Sequence, residues 1–162
     1  MSVHIRVSLA AQTLTLFSDT GQVLCSYPVS TAARGAGEMR GSQRTPRGRH
    51  VIRARIGAGL PADAVLVGRR PTGERYSGEL AAACPQRDWI LARILWLSGC
   101  EPGFNRLGER DTMRRYIYIH GAPDSAPMGM PQSHGCIRMH GADVVELFDR
   151  VPVGTPVEIV ED

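Results

Sequence analysis

The chain has 162 residues, enough for one domain that buries roughly two-thirds of its unfolded surface without a disulfide or metal staple. Hydrophobic residues at 43% and charged residues at 22% match an ordinary globular composition and argue against disordered and membrane classes. The net charge of +3 arises from 19 basic residues, all arginine, spread along the chain without the dense run that tracks a phosphate backbone, so nucleic acid is not an expected partner.

The chain opens Met1-Ser2-Val3-His4-Ile5-Arg6, with polar residues interrupting it before any apolar leader core. The expected location is cytoplasmic, or periplasmic if a leader has been removed. Apolar and polar positions then alternate in short runs that read as strands: Val3 to Leu9, Thr13 to Phe17, Gln22 to Val29, Arg49 to Ile56, Ala64 to Val67 and Arg115 to His120. Turn chemistry falls between them at Asp19-Thr20-Gly21, Thr45-Pro46-Arg47-Gly48 and Pro152 to Pro156.

Trp89 to Leu97 fits both a buried strand and a short helix, and strand is the expectation. Only Ala142 to Arg150 reads as helix, with Val144, Val145, Leu147 and Phe148 on one side, Asp143 in its first turn and Arg150 in its last. Arg69 to Arg87 and Ser98 to Arg114 are long and irregular, which makes both candidates for lids or binding loops. No repeat or composition break marks a second domain. The expected fold is mainly β, sandwich- or barrel-like, a single domain over residues 1–162 with a short C-terminal helix and long lid loops.

Four cysteines, Cys25, Cys84, Cys100 and Cys136, share no repeated spacing, and free thiols are expected. Three sit in apolar or loop contexts, where a small buried hydrophobe is the default reading. Cys136 alone has chemical company. A cysteine nucleophile needs a base, a group that orients the base, and donors for the oxyanion formed at an attacked carbonyl. Gly135 removes side-chain bulk beside the sulfur. His120 ends the run Tyr116-Ile117-Tyr118-Ile119-His120 where a strand meets a loop, and His134 lies two residues before the thiol, on the same side if the segment is extended.

These residues resemble the YkuD-type L,D-transpeptidase catalytic domain, whose signature is a His-Gly followed by Ser/Thr-His-Gly-Cys. Here the signature reads Ile119-His120-Gly121 and Ser133-His134-Gly135-Cys136-Ile137-Arg138, and the upstream pattern recurs as Tyr27-Pro28-Val29-Ser30-Thr31 and Thr45-Pro46-Arg47-Gly48. The resemblance implies that Cys136 attacks the carbonyl of the diamino acid at position three of a peptidoglycan stem peptide and expels D-alanine. It implies that His120 is the base, held by a backbone carbonyl near Ser133, and that His134 with the amides of Gly135 and Cys136 lies at the oxyanion. It implies no cofactor or metal. Arg138 looks like a substrate-positioning residue, with pairing to Asp143 or Glu146 as the plain structural alternative. Tyr118 shares a strand face with His120 and so reaches toward the substrate cleft.

Two departures from the family pattern are His140, where Asn is common, and the long insert Ala32 to Arg44, which is positioned to reshape the substrate mouth. His4, His50 and His140 are expected to be structural or solvated. The expected reaction is L,D-carboxypeptidase trimming of cytoplasmic tetrapeptides during cell-wall recycling, with L,D-transpeptidase cross-linking as the alternative. A zinc module using His120, His134, Cys136 and His140, and an inactive wall-peptide binder, are the remaining readings.

Overall fold

The computed structural model describes residues 2–162. Ten strands run in chain order as β1 (Val3–Ser8), β2 (Thr13–Ser18), β3 (Val23–Pro28), β4 (Gly48–Ile56), β5 (Ala64–Val67), β6 (Arg70–Arg75), β7 (Ile90–Gly99), β8 (Tyr118–Ala122), β9 (Ile137–His140) and β10 (Pro156–Val160). Two helices join them, the six-residue α1 (Gly78–Ala83) and the ten-residue α2 (Gly141–Arg150). The alternation read from the sequence is the physical basis of the first strands. Ile5 and Val7 of β1 and Leu14 and Leu16 of β2 point inward and are fully buried, while the residues between them face outward.

One sheet carries every strand. Its path is β3-β2-β1-β10-β4-β7, with β8 and then β9 on the far edge of β7 and the β5–β6 hairpin pairing with the first residues of β7. The sheet curls back on itself, because Ser30, just past β3, exchanges two backbone hydrogen bonds of 2.9 Å with Arg138 of β9. Curling removes an exposed edge that would otherwise invite aggregation. Inside it, Val144, Leu147 and Phe148 of α2 pack with residues of β7, β8 and β9 into the main core.

The ambiguous segment Trp89 to Leu97 is strand, β7. It has neighbours on both edges and is buried on both faces from Leu91 to Leu95, so its apolar residues show no alternation, with Arg93 the one charged residue among them. Three strands have no sequence expectation: β6 lies inside Arg69 to Arg87, read as an irregular loop, and β9 and β10 are the other two. The four residues of β9 are too few to show a period, and β10 begins at Pro156, inside the stretch read as a turn.

The two long stretches also differ from expectation. Arg69 to Arg87 contains β6 and α1, the latter capped by Ser77 Oγ accepting from Leu80 N–H. Ser98 to Arg114 includes the end of β7 and one 3-10 turn, Gly108–Arg110, and is tied down by buried polar groups. Asn105 donates to the carbonyls of Arg47 and Arg49, and Asp111 accepts from the amides of Leu107 and Arg114. These bonds anchor that second loop at Asn105 and Asp111. No helix among the described residues is long and apolar enough to cross a membrane.

Candidate active site

The parallel pairing of β8 with β9 builds the site. Its register sets Ile119 beside Ile137 and His120 beside Arg138. The odd-numbered residues Ile119, Ile137 and Met139 point into the core. Tyr118, His120, Cys136 and Arg138 therefore share the opposite face, which is how residues 16 positions apart in the chain become neighbours.

Cys136 is half-buried against Leu66, Ile94 and Tyr118. Its Sγ accepts from the Tyr118 N–H at 3.3 Å and donates to the Tyr116 carbonyl at 3.4 Å. Burial pushes the thiol up to about 11, against the pull of the Tyr118 amide; Asp88 adds to the rise and Arg138 and Arg115 oppose it. His120 is 1% exposed, and burial holds its pKa below the ordinary imidazole value. The resting pair is thus thiol and neutral imidazole.

His120 Nδ1 lies 2.7 Å from the carbonyl oxygen of Gly121. That contact requires the Nδ1–H tautomer and leaves Nε2 with a lone pair, the form a general base needs. The orienting carbonyl is therefore that of Gly121, directly after the histidine, and not one near Ser133 as the resemblance implied. Ser133 instead braces the loop: its Oγ donates to the Cys136 carbonyl at 2.5 Å and accepts from the Gly135 N–H at 3.2 Å. The Gly135 amide is thereby engaged within the loop.

The upstream motifs hold this loop from beneath. Ser133 exchanges backbone hydrogen bonds with Thr31 and Ala33, and Thr45 Oγ1 donates to the Gly135 carbonyl at 2.9 Å while accepting from the Ala32 amide. Gly135 has φ of +132°, and a Cβ there would lie 3.1 Å from Ile117 Cδ1 and 3.3 Å from the Arg44 carbonyl oxygen. Gly135→Ala is expected to cost about 2 kcal/mol, a melting-temperature loss of roughly 4–8 °C by calorimetry, and to lower activity by displacing Cys136.

His134 is exposed and stands between two clefts. One, of about 300 Å³, is lined by Tyr76, Asp88, Trp89, Ser125, His134 and Arg138. The other, of about 320 Å³, is bounded by Arg40, Gln43, Arg114, Arg115, Tyr116 and His134. The insert Ala32 to Arg44 thus supplies one wall of the second cleft, and the far end of Arg69 to Arg87 borders the first.

Arg138 pairs with Asp88 at 2.9 Å, not with Asp143 or Glu146. Glu146 accepts instead from the Tyr27 hydroxyl at 2.5 Å. The Tyr118 hydroxyl is taken by Arg69 at 3.0 Å, so this residue serves the site through its backbone amide and its packing, and its ring lines neither cleft. Asp88 and Arg115 were missed from the sequence. Asp88 ends a loop with no motif, and Arg115 looks like any strand-start arginine, yet its guanidinium holds the carbonyls of Gly37 and Arg44 and so fixes the insert.

His50, buried between the Gly48 carbonyl and Thr112, has its pKa pulled down to about 4 by burial; His4 stacks on Phe17, and His140 lies 3.3 Å from the Ala126 carbonyl. The four ligands of the zinc reading do not converge: among the described residues no three His, Cys, Asp or Glu side chains are grouped to hold a metal.

The pKa shifts carry a pH signature. Because the thiol is raised, its thiolate fraction grows about tenfold per pH unit until roughly pH 11. Alkylation of Cys136 by iodoacetamide is expected to climb steadily from pH 7 to about 10. A plateau between pH 6 and 9 would instead mark a preformed thiolate–imidazolium pair.

Relatives agree with this architecture. The chain is 45% identical over 60 residues to a putative L,D-transpeptidase, YqjB, of Bacillus subtilis, a match covering 37% of the chain and 32% of that protein. It is 48% identical over 46 residues to a putative L,D-transpeptidase, YkuD, of the same organism, covering 28% of each. The matches thus span about a third or less of those relatives. Among solved structures, L,D-transpeptidase 3 of Mycobacterium tuberculosis superposes with a TM-score of 0.59 at 18% identity, over 99% of this chain and 61% of that one. An L,D-transpeptidase of Enterococcus faecium gives 0.59 at 19% identity, over 99% of this chain and 50% of that one, and both likenesses show the shared fold. The family model of the L,D-transpeptidase catalytic domain, YkuD, matches residues 2–159, and the chain belongs to that family.

Proposed function

We propose that the protein is a cysteine L,D-peptidase of peptidoglycan stem tetrapeptides, and that water resolves its acyl-enzyme, making it an L,D-carboxypeptidase. The observation that carries the chemistry is the buried neutral His120, pinned through Nδ1 to Gly121 and sharing one sheet face with the Cys136 thiol. Imidazole Nε2 takes the proton from Sγ as the sulfur attacks the carbonyl carbon of residue three. The bond to D-alanine breaks, its nitrogen receives that proton, and a thioester remains on Cys136. Water then gives a proton to His120 and attacks the thioester, and the departing sulfur takes the proton back. The Cys136 amide and His134 stabilise the oxyanion in both steps.

The substrate class is carried over from the family, that of the L,D-transpeptidase catalytic domain. The place of work we propose is the cytoplasm, on soluble muropeptides, and fractionation of producing cells tests it by recovering the protein with soluble or periplasmic markers. A second reading, transfer of the acyl group to an amine, is favoured by the presence of a cleft on each side of His134, enough room for two peptides.

Incubation with a disaccharide tetrapeptide, followed by mass spectrometry, separates the readings. Tripeptide plus free D-alanine supports hydrolysis, and a cross-linked dimer as the main product overturns it. Because nucleophile, base and oxyanion donors all come from the chain, turnover is expected to survive EDTA; loss of activity reversed by zinc would contradict the mechanism.

A further inference from the structure

The two clefts that meet at His134 differ in charge. The first holds Asp88 as well as arginines, and its cations are paired: Arg138 with Asp88, and Arg87 with Glu74 at 3.0 Å. The second is lined by Arg40, Arg114 and Arg115 and by no acid. Arg115 is spent on the carbonyls of Gly37 and Arg44 and on Ser42. Arg40 and Arg114 are exposed, and among the described residues neither guanidinium forms an ion pair or a hydrogen bond.

Two neighbouring acids are already committed. Asp111 accepts from the amides of Leu107 and Arg114, and Glu38 is buried against Arg47. Glu109 meets Arg40 only through its backbone carbonyl, which accepts from the Arg40 amide. The second cleft is therefore a cationic recess lined by no acid, in which the Arg40 and Arg114 guanidiniums form no ion pair among the described residues.

Its position relative to the sulfur defines what it can read. Tyr116 lines the recess, and its carbonyl lies 3.4 Å from Cys136 Sγ. One residue of peptide spans at most about 3.6 Å, so the recess is within reach of a charged group on the residue that leaves the attacked carbonyl. For a peptide cleaved before its last residue, that group is the terminal carboxylate.

We propose that Arg40 and Arg114 form the subsite for the carboxylate of the departing residue, so that the enzyme requires a free peptide C-terminus. The assignment rests on the peptidase reading above. Arginine suits the task because its planar fork matches a carboxylate and stays charged at all working pH. The same recess repels an incoming ammonium but admits water, which favours hydrolysis once the departing residue has left. The insert Ala32 to Arg44 thereby gains a role, since it delivers Arg40.

Two measurements on the intact chain test this. The first compares alkylation of Cys136 by iodoacetate, an anion, with alkylation by neutral iodoacetamide, in wild type, in R40A/R114A, and in R6A/R53A, which removes two exposed arginines of β1 and β4 remote from both clefts. The iodoacetate-to-iodoacetamide rate ratio is expected to fall about tenfold in R40A/R114A and to stay at the wild-type value in R6A/R53A. The second compares a tetrapeptide ending in D-alanine with the same peptide ending in D-alaninamide. Wild type is expected to prefer the free acid by at least about tenfold in kcat/KM, and R40A/R114A to lose that preference through a raised KM for the acid, with the amide unchanged. An unchanged alkylation ratio in R40A/R114A, or an equal fall in R6A/R53A, overturns the proposal. So does a substrate preference that survives in R40A/R114A. If the ratio falls only in R40A/R114A while wild type cleaves neither peptide, the anion subsite is supported and the peptidase reading is the one that fails.

Discussion

Cys136→Ala is expected to abolish release of D-alanine from a tetrapeptide, lowering kcat/KM by at least about four orders of magnitude. The sulfur shares a sheet face with His120, and the Ser133 hydroxyl does not stand ready to replace it, since it is turned inward to the Cys136 carbonyl. Stability should change little. The thiol is half-buried and makes two long contacts to backbone groups of Tyr116 and Tyr118, so its loss costs about 1 kcal/mol, or roughly 2–4 °C in melting temperature. Alanine at Cys25, Cys84 or Cys100 should leave turnover intact, because Cys25 lies in β3, Cys84 ends α1 and Cys100 follows β7, none of them in the β8–β9 segments that carry His120 and Cys136. An essential residue among those three, together with turnover in the Cys136 variant, would overturn the assignment.

The second large effect concerns the base. His120→Ala is expected to lower peptide turnover by about two to four orders of magnitude and to slow iodoacetamide alkylation near neutral pH about tenfold. The thiol is raised to about 11, so at pH 7 only about one molecule in ten thousand carries the thiolate unaided, and attack depends on a base that accepts the proton as the bond forms. His134→Ala should behave differently: alkylation stays near wild type while turnover falls, because an oxyanion donor acts on the carbonyl and not on the thiol. His140→Ala should affect neither. Reversal of the two patterns would exchange the roles of His120 and His134.

Much of this molecule is legible in its residues. Period-two alternation marks β1 and β2 because each has one face in the core and one in water, and the apolar stripe from Val144 to Phe148 marks α2 for the corresponding reason. Ser133 to Cys136 and His120 announce the chemistry because a thiol, a base and a small neighbour are needed in one place. Where periodicity carries too few residues, as in the four of β9, or where a Pro-rich turn leads straight into a strand, as at Pro156, local pattern is silent.

What tertiary structure alone decided are the contacts made across long stretches of chain. Asp88 reaches Arg138 across 50 positions, and Thr45 reaches the Gly135 carbonyl across 90. The Gly121 carbonyl, adjacent in sequence, becomes the holder of His120 only once the β8–β9 register sets the direction of the ring. The two clefts likewise exist only after the insert and the α1–β7 loop fold against opposite sides of His134, leaving one side with paired charges and the other with unpaired arginines. Residue types and near spacing are properties of the chain and determine which chemistry is available; strand register and loop packing are properties of the closed sheet, and they determine which partners each group meets.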